Sequence, residues 1–244
     1  MIVSVAQPCS TSGPNGCDGL GSSGRDRSLH PIALRPAPDP VAPSSPAVHR
    51  AAIMQPYTID RTSNHRRQQV EAWLFGLDQV SAKLRDDIVT AWVSTWSSSP
   101  YENLEDVPFG AGVDYPLMLH VNEVTRAGLD LARRAAADWD MQLDPEILVP
   151  ILILHDVDKP LMYVREGGEI RYSPLWHELP HGVAGAMLLK ELGFAHRVVS
   201  TVALHAGNAP YHGATLEAYV LHYADYFSAD HAVIQTGGKP YYQK

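Results

Sequence analysis

An apolar segment that ends in charged residues places the tightest limit on how this chain can fold. Residues 151–159 read Ile-Leu-Ile-Leu-His-Asp-Val-Asp-Lys, so four aliphatic side chains lead directly into His155 and Asp156, with Lys159 close behind. The aliphatic run predicts burial, and a buried carboxylate is costly unless it is paired or binds a metal. We therefore expect His155 and Asp156 to lie inside the fold, with partners from elsewhere in the chain.

The composition excludes several classes of protein. Hydrophobic residues make up 45% of the 244 residues, which is ordinary for a globular protein, and the formal net charge is −8. An acidic chain lacks the basic face that binding to a nucleic-acid backbone requires. No segment approaches the roughly 20 consecutive apolar residues of a membrane span. We expect a cytoplasmic protein without nucleic-acid or membrane partners, and its oligomeric state stays open.

The first 56 residues differ in composition from the rest of the chain. They hold nine of the 19 prolines and are rich in glycine, serine and alanine, without apolar periodicity. Such a segment buries too little surface to offset its chain entropy. We predict a disordered tail over residues 1–56 and one folded domain over residues 57–244. Both cysteines, Cys9 and Cys17, lie in the tail, so the folded domain has no thiolate ligand or cysteine nucleophile.

Helical periodicity dominates the folded domain and predicts an all-α fold. Residues 100–116 contain three prolines and two glycines and are predicted to form a loop. Residues 162–172 predict a short β-hairpin that turns at Gly167 and Gly168 and is inserted into the helical body. The predicted helices span about residues 65–74, 80–96, 117–139, 145–156, 180–192, 196–205 and 216–231.

Six histidine and aspartate residues fall on or at the ends of these helices, and together they suggest a metal site. They are His120, His155, Asp156, His181, His205 and Asp225. Nitrogen and oxygen ligands without sulfur suit iron, manganese, cobalt, nickel or zinc. Six ligands exceed what one four-coordinate zinc needs and suffice for two ions, with Asp156 as the shared ligand.

Each histidine taken singly has a simpler interpretation. One histidine on an apolar helical face is more often a hydrogen-bonded core residue than a ligand, so only the joint pattern favours a metal. Two choices also stay open in the sequence. His222 lies one turn before Asp225 and competes with it as a ligand, while His177 is predicted either to support the site or to face the substrate.

The order and local context of these residues resemble the HD-domain superfamily of metal-dependent hydrolases. Residues 154–159 are similar to the family's central His-Asp motif, residues 181–194 to its third-ligand helix, and residues 223–225 to its last ligand. The resemblance covers about residues 110–235. Two departures stand out: Asp158 occupies a position where glycine is common, and no second histidine adjoins His205.

This resemblance implies a fold and a ligand scheme. The fold would be an HD-like helical bundle with the hairpin as an insertion. Two divalent transition-metal ions would share Asp156 as a bridge. The first ion would be held by His120, His155, Asp156 and Asp225. The second would be held by Asp156, His181 and His205.

The resemblance also implies a reaction. A metal-bound water loses its proton near neutral pH, so the site would hydrolyse a small phosphate ester or nucleotide by attack of hydroxide. Asp156 and Lys159 would be the catalytic residues, and Lys159 would also neutralise charge on the phosphate. Arg165 on the hairpin and His177 would contact the same phosphorylated small molecule.

Two other functions are compatible with the same ligands. Some binuclear proteins that resemble this ligand set hold mixed-valent di-iron and use dioxygen to cleave a carbon bond in a small organic substrate. A non-catalytic module could use the metal for structure or sensing alone. Lys159 beside a full ligand set favours catalysis. The ligands do not separate hydrolysis from oxygenation.

Overall fold

A computed structural model describes residues 55–207 and 213–243 of the chain. The tail predicted to be disordered lies almost wholly outside these residues, so its disorder and the division of the chain at residue 56 stay predictions. No helix within the described ranges is long and apolar enough to cross a membrane.

The described part of the chain is mostly helical, with two short hairpins. Single turns of 3-10 helix lie at Leu77–Gln79, Leu104–Asp106 and Tyr241–Gln243. The strands are β1 (Pro108–Gly110), β2 (Val113–Pro116), β3 (Tyr163–Glu166) and β4 (Glu169–Tyr172). The helices are α1 (Asn64–Trp73), α2 (Ala82–Ser97), α3 (Leu117–Trp139), α4 (Pro145–Leu154), α5 (Lys159–Met162), α6 (Pro174–Glu178), α7 (Val183–Glu191), α8 (His196–Leu204) and α9 (Leu216–Gln235).

The prediction of an all-α fold with a small β-hairpin is confirmed. Strands β3 and β4 pair antiparallel, with Tyr163 opposite Tyr172 and Glu166 opposite Glu169. Gly167 and Gly168 both have positive φ angles, 60° and 86°, which a two-residue turn between twisted strands requires. The predicted bounds of α3 agree with the structure residue for residue.

The loop predicted over residues 100–116 is wrong in part, because it contains a second hairpin. Strands β1 and β2 pair antiparallel, with Pro108 opposite Pro116 at the open end. Strands of three and four residues are too short to show alternation in the sequence, and isolated two-stranded hairpins are marginal in water. This hairpin instead packs on α3 and α9, a contact that the local sequence does not reveal.

The helix predicted from Pro180 is also wrong at its start. Residues 174–178 form the separate helix α6, and α7 begins only at Val183. Gly182 lies between them with φ +90°, a left-handed conformation that interrupts a right-handed helix. His181 therefore occupies a turn before α7 rather than the first turn of a helix.

Helix α4 is the centre of the fold. Every residue from Leu148 to Leu154 is buried, as expected for a helix that is apolar on all sides. The Asp144 carboxylate accepts a hydrogen bond from the Glu146 amide at 2.9 Å, and Pro145 occupies the first helical position, so the predicted helix start is confirmed. The end of α4 therefore delivers the next residues into the interior.

The packing of α3 against α4 depends on a glycine. A Cβ atom at Gly128 would lie 2.4 Å from Cδ2 of Leu152, so a larger residue would force the Leu152 side chain to move. Helices α2, α8 and α9 also pack on α4. The centre of the protein is thus a helix surrounded by helices, and residues from α3, α8 and α9 can reach its C-terminal end.

Candidate metal centre

The His-Asp pair lies in a buried turn directly after α4. His155 is fully buried and Asp156 is 2% exposed. Nδ1 of His155 lies 2.9 Å from the Leu152 carbonyl oxygen, which can only accept a hydrogen bond. Nδ1 must therefore carry the hydrogen, and in the neutral ring Nε2 presents a lone pair to the interior.

Helices α3 and α9 supply two further residues to this point. Nε2 of His120 lies 3.3 Å from Nε2 of His155, 3.4 Å from Oδ2 of Asp156 and 3.2 Å from Oδ1 of Asp225. His222, the competing candidate on α9, instead packs its ring against Tyr223 and Tyr226. The geometry therefore brings Asp225 rather than His222 to the histidine pair.

A second group meets the other oxygen of the same carboxylate. Nε2 of His181 lies 2.9 Å from Oδ1 of Asp156, and Nε2 of His205 lies 3.5 Å from it. Potential ligand atoms of His120, His155 and Asp156 lie within 4.8 Å of one another, as do those of Asp156, His181 and His205. Asp156 is the one residue that belongs to both groups.

The histidine nitrogens and the Asp156 carboxylate are arranged to bind a cation rather than to pair with one another. Nδ1 of His205 lies 2.7 Å from the Val202 carbonyl oxygen, and Nδ1 of His181 lies 2.8 Å from Oδ1 of Asp158. Together with His155, these rings turn Nε2 towards the Asp156 carboxylate, so without a proton or an ion their lone pairs would face a negative charge. Histidine ligands of metals are held in this way, through a hydrogen bond from the second ring nitrogen.

Protons balance the carboxylates when no metal is bound. Burial by itself would lower the pKa of His181, but Asp158 and Asp156 outweigh burial and raise that pKa from 6.5 to about 9. Burial also opposes protonation of His120, yet hydrogen bonds to Asp156 and Asp225 raise its pKa. Burial lowers the pKa of His205. A metal ion would therefore have to displace protons from part of its ligand set.

Asp158 is a functional candidate that the sequence interpretation missed. From the sequence it is only a departure from the glycine that is common at this position. Its Oδ1 accepts from His181, while Oδ2 accepts from the backbone amides of Gly182 at 2.8 Å and Gly185 at 3.3 Å. This fully buried carboxylate fixes the His181 ring to the start of α7. The signal in the sequence was a charged residue in a segment predicted to be buried.

We predict that Asp158→Asn weakens metal binding selectively at the His181 side. The asparagine side chain is neutral, so it can no longer provide a charged acceptor for Nδ1 of His181. Residues that hydrogen-bond a metal ligand typically contribute about 10–100-fold to metal affinity. For a site that binds two ions, calorimetric titration of metal-free protein should show one weakened ion while the other binds as before. Asp138→Asn, an exposed change on α3, is the control. Equal weakening at both positions would contradict this role.

Lys159 lies beside the bridging carboxylate. Its Nζ is 2.7 Å from Oδ2 of Asp156 and 3.8 Å from the centre of the Phe109 ring, and the side chain is buried. Burial by itself would raise the pKa of Asp156, but the charges of Lys159 and His155 hold that pKa well below its ordinary value. The ammonium group is thus fixed at the site by an ion pair and by an aromatic face.

A cavity of about 450 Å³ opens onto this centre. The charged and histidine side chains that line it are those of Lys159, His181, His205, Asp156 and Asp225. Aromatic side chains form much of the remaining wall. Two predicted substrate contacts are absent from the described lining. Arg165 pairs with Asp114 and hydrogen-bonds the Asp106 carbonyl oxygen, and His177 is exposed on α6. Arg165 lies on the β3–β4 hairpin and His177 on α6 directly after it, and the packing of these elements on the helical body could not be read from the sequence.

Comparison with known proteins identifies the class of this site. Residues 120–230 match the family model of the HD domain. Over those residues, this match confirms the resemblance drawn from the motifs.

One curated protein is similar to part of this chain. A dihydroneopterin 2′,3′-cyclic phosphate phosphodiesterase from Methanocaldococcus jannaschii is 29% identical over 111 residues, which are 45% of this chain and 44% of the relative. The chain thus spans less than half the length of that protein. No solved structure matches the chain significantly. The family and the relative together support a hydrolase with a metal-binding His/Asp site.

Proposed function

We propose that this protein is a metal-dependent phosphohydrolase that acts on a small phosphate ester through a binuclear centre. The observation that carries the proposal is the position of Asp156, with Oδ2 towards His120 and His155 and Oδ1 towards His181 and His205. A carboxylate that faces two separate sets of nitrogen donors suits a bridge between two ions. Asp225 completes the first set.

The metal ions and the side chains around the cavity would have separate roles in hydrolysis. Bound divalent ions would supply Lewis-acid activation of water and would neutralise charge on the phosphoryl group. Lys159 would add a compact cation at the same place, and its contact with Phe109 would hold it towards the substrate. Asp158 would keep His181 oriented through repeated turnovers. The nitrogen and oxygen donors suit iron, manganese, cobalt, nickel or zinc.

The relative supports phosphate chemistry rather than oxygenation. It is described as a phosphodiesterase for a cyclic phosphate, and the shared 111 residues amount to 45% of the present chain. We extend only the reaction class to this protein and keep both phosphomonoesters and small phosphodiesters as candidate substrates. No specific contact in the described residues favours cleavage of a carbon bond by dioxygen.

Removal of the metal should abolish phosphate release. We expect chelator-treated protein to be inactive towards p-nitrophenyl phosphate and bis-p-nitrophenyl phosphate, and one or more of the five candidate metals to restore activity without oxygen. Lys159→Met should retain its metal and lose about 100-fold in turnover, since a fixed charge at the reacting phosphate is removed. Lys190→Met, an exposed change on α7, is the matched control.

The outcome that contradicts hydrolysis is equally direct. Metal-loaded protein that releases no phosphate from any ester but consumes dioxygen with an organic substrate would favour the oxygenase. Full metal occupancy with neither activity would favour a binding module. Metal content measured by mass spectrometry on protein purified without added metal supplies the stoichiometry for each case.

A further inference from the structure

The cavity beside Lys159 has a wall of three aromatic rings from the β3–β4 hairpin and the helix that follows it. They belong to Tyr163 on β3, Tyr172 on β4 and Trp176 on α6, and all three line the cavity. The rings of Tyr172 and Trp176 are stacked, with centres 4.4 Å apart and planes inclined by 29°. Tyr163 lies 5.8 Å from each of them. We call these residues the aromatic wall.

The aromatic wall is fixed with respect to Lys159. Strand β3 follows α5 without a break, so Tyr163 comes four residues after Lys159 in continuous structure. Ser173, at the start of α6, returns to α5 through its amide, which donates to the Met162 carbonyl at 2.9 Å, and its hydroxyl, which donates to the Leu161 carbonyl at 2.6 Å. The rings therefore keep their place relative to the metal ligands, as a specificity surface requires.

Lysine and arginine side chains are scarce in the cavity. Lys159 is the single lysine or arginine among the described lining residues. The hairpin arginines are engaged elsewhere: Arg165 pairs with Asp114, and Arg171 pairs with Glu169 at 3.0 Å. A second or third phosphate on the substrate would therefore find no further lysine or arginine among the described lining residues.

We propose that the aromatic wall selects substrates that contain a planar aromatic ring and one phosphate group. The ring would stack on Tyr172 and Trp176 while the phosphate reaches Lys159 and the metal centre. This inference rests on the proposed phosphohydrolase function and adds its substrate class. It also assigns Tyr172 and Trp176 as specificity-determining residues, whereas Lys159 and the metal ligands act on any phosphate.

The test separates binding from turnover by using phosphonates, whose carbon–phosphorus bond is not hydrolysed. Calorimetry on the metal-loaded protein should show that phenylphosphonate binds about 10-fold or more tightly than methylphosphonate, as stacking on an aromatic side chain commonly provides. Trp176→Ala should remove this preference and leave methylphosphonate binding unchanged, and Trp176→Phe should restore part of it. Trp139→Ala, which truncates an exposed tryptophan on α3, should have no effect.

A second variant covers the case in which Trp176→Ala does not fold, because Trp176 also packs against the small apolar cluster under the hairpin. Tyr172 is 46% exposed, so Tyr172→Ala should fold and should show the same selective loss.

In steady-state assays, adenosine 5′-monophosphate should be preferred to adenosine 5′-triphosphate by about 10-fold in kcat/KM, because the extra phosphates lack partners.

The possible failures are distinguishable. Equal binding of the two phosphonates to the normal protein, no binding of either, or equal weakening of both in Tyr172→Ala would overturn the aromatic-wall proposal. A preference for the triphosphate would overturn the limit to one phosphate. Selective phenylphosphonate binding without phosphate release from any ester would refute the phosphohydrolase function instead and would leave the aromatic wall intact as a binding surface.

Discussion

Asp156→Asn is expected to remove both ions of the proposed binuclear centre and to reduce phosphate release by on the order of 10³-fold, since partners of metal ligands alone contribute about 10–100-fold and a shared ligand should contribute more. Asparagine keeps the size of the side chain but offers only one neutral oxygen. Each histidine group then loses the negative charge that would hold its ion. Lys159, 2.7 Å from the same carboxylate, also loses its ion-pair partner.

The contrast with His181→Ala makes this experiment specific for a bridge. Of the two Asp156 oxygens, His181 contacts only Oδ1. Removal of the His181 ring should therefore release one ion and leave the other bound. Metal content per chain after dialysis, together with calorimetric affinities, distinguishes the two variants. Asp138→Asn again serves as an exposed control. Two tightly bound ions in Asp156→Asn protein would show that the carboxylate is not a bridge.

Gly182→Ala is expected to lower the free energy of unfolding by about 2–4 kcal/mol, because it combines backbone strain with a forced displacement in a packed region. Gly182 has φ +90°, and a Cβ atom there would lie 2.6 Å from the carbonyl oxygen of Val202. That oxygen belongs to α8 and cannot move aside as a flexible side chain would. It also accepts the hydrogen bond that orients His205.

Gly193→Ala is the matched control for this substitution. Gly193 has φ +85° but no atom within 4 Å of the position of an added Cβ, so it isolates the cost of the left-handed backbone, about 1–2 kcal/mol. Urea unfolding of the metal-free proteins measures the difference between the two variants. Gly182→Ala should also weaken the ion at the His181 and His205 side. Equal destabilisation by both substitutions would mean that the close approach to Val202 contributes nothing.

Much of the fold could be predicted because its signals are local. The length of α3 follows from helical periodicity, the start of α4 follows from Asp144 and Pro145, and the β3–β4 turn follows from two adjacent glycines. The β1–β2 hairpin and the separate helix α6 carry no such signal, because their stability comes from packing on distant elements. The start of α7 was misplaced since Pro180 suggests a helix start, whereas the conformation of Gly182 delays it.

The sequence by itself determined the chemistry available to this protein: an apolar helix that carries a His-Asp pair inward, a thiol-free set of nitrogen and oxygen donors, and an order of motifs that the HD-domain match confirms over residues 120–230. Only the tertiary structure decided how that chemistry is arranged. It placed one oxygen of Asp156 towards each histidine group, gave Asp158 its hold on His181, and left Arg165 and His177 outside the described lining of the cavity. The physical reason is that motifs and periodicity record local preferences, whereas the direction of a side chain on an insertion depends on contacts between residues far apart in the chain.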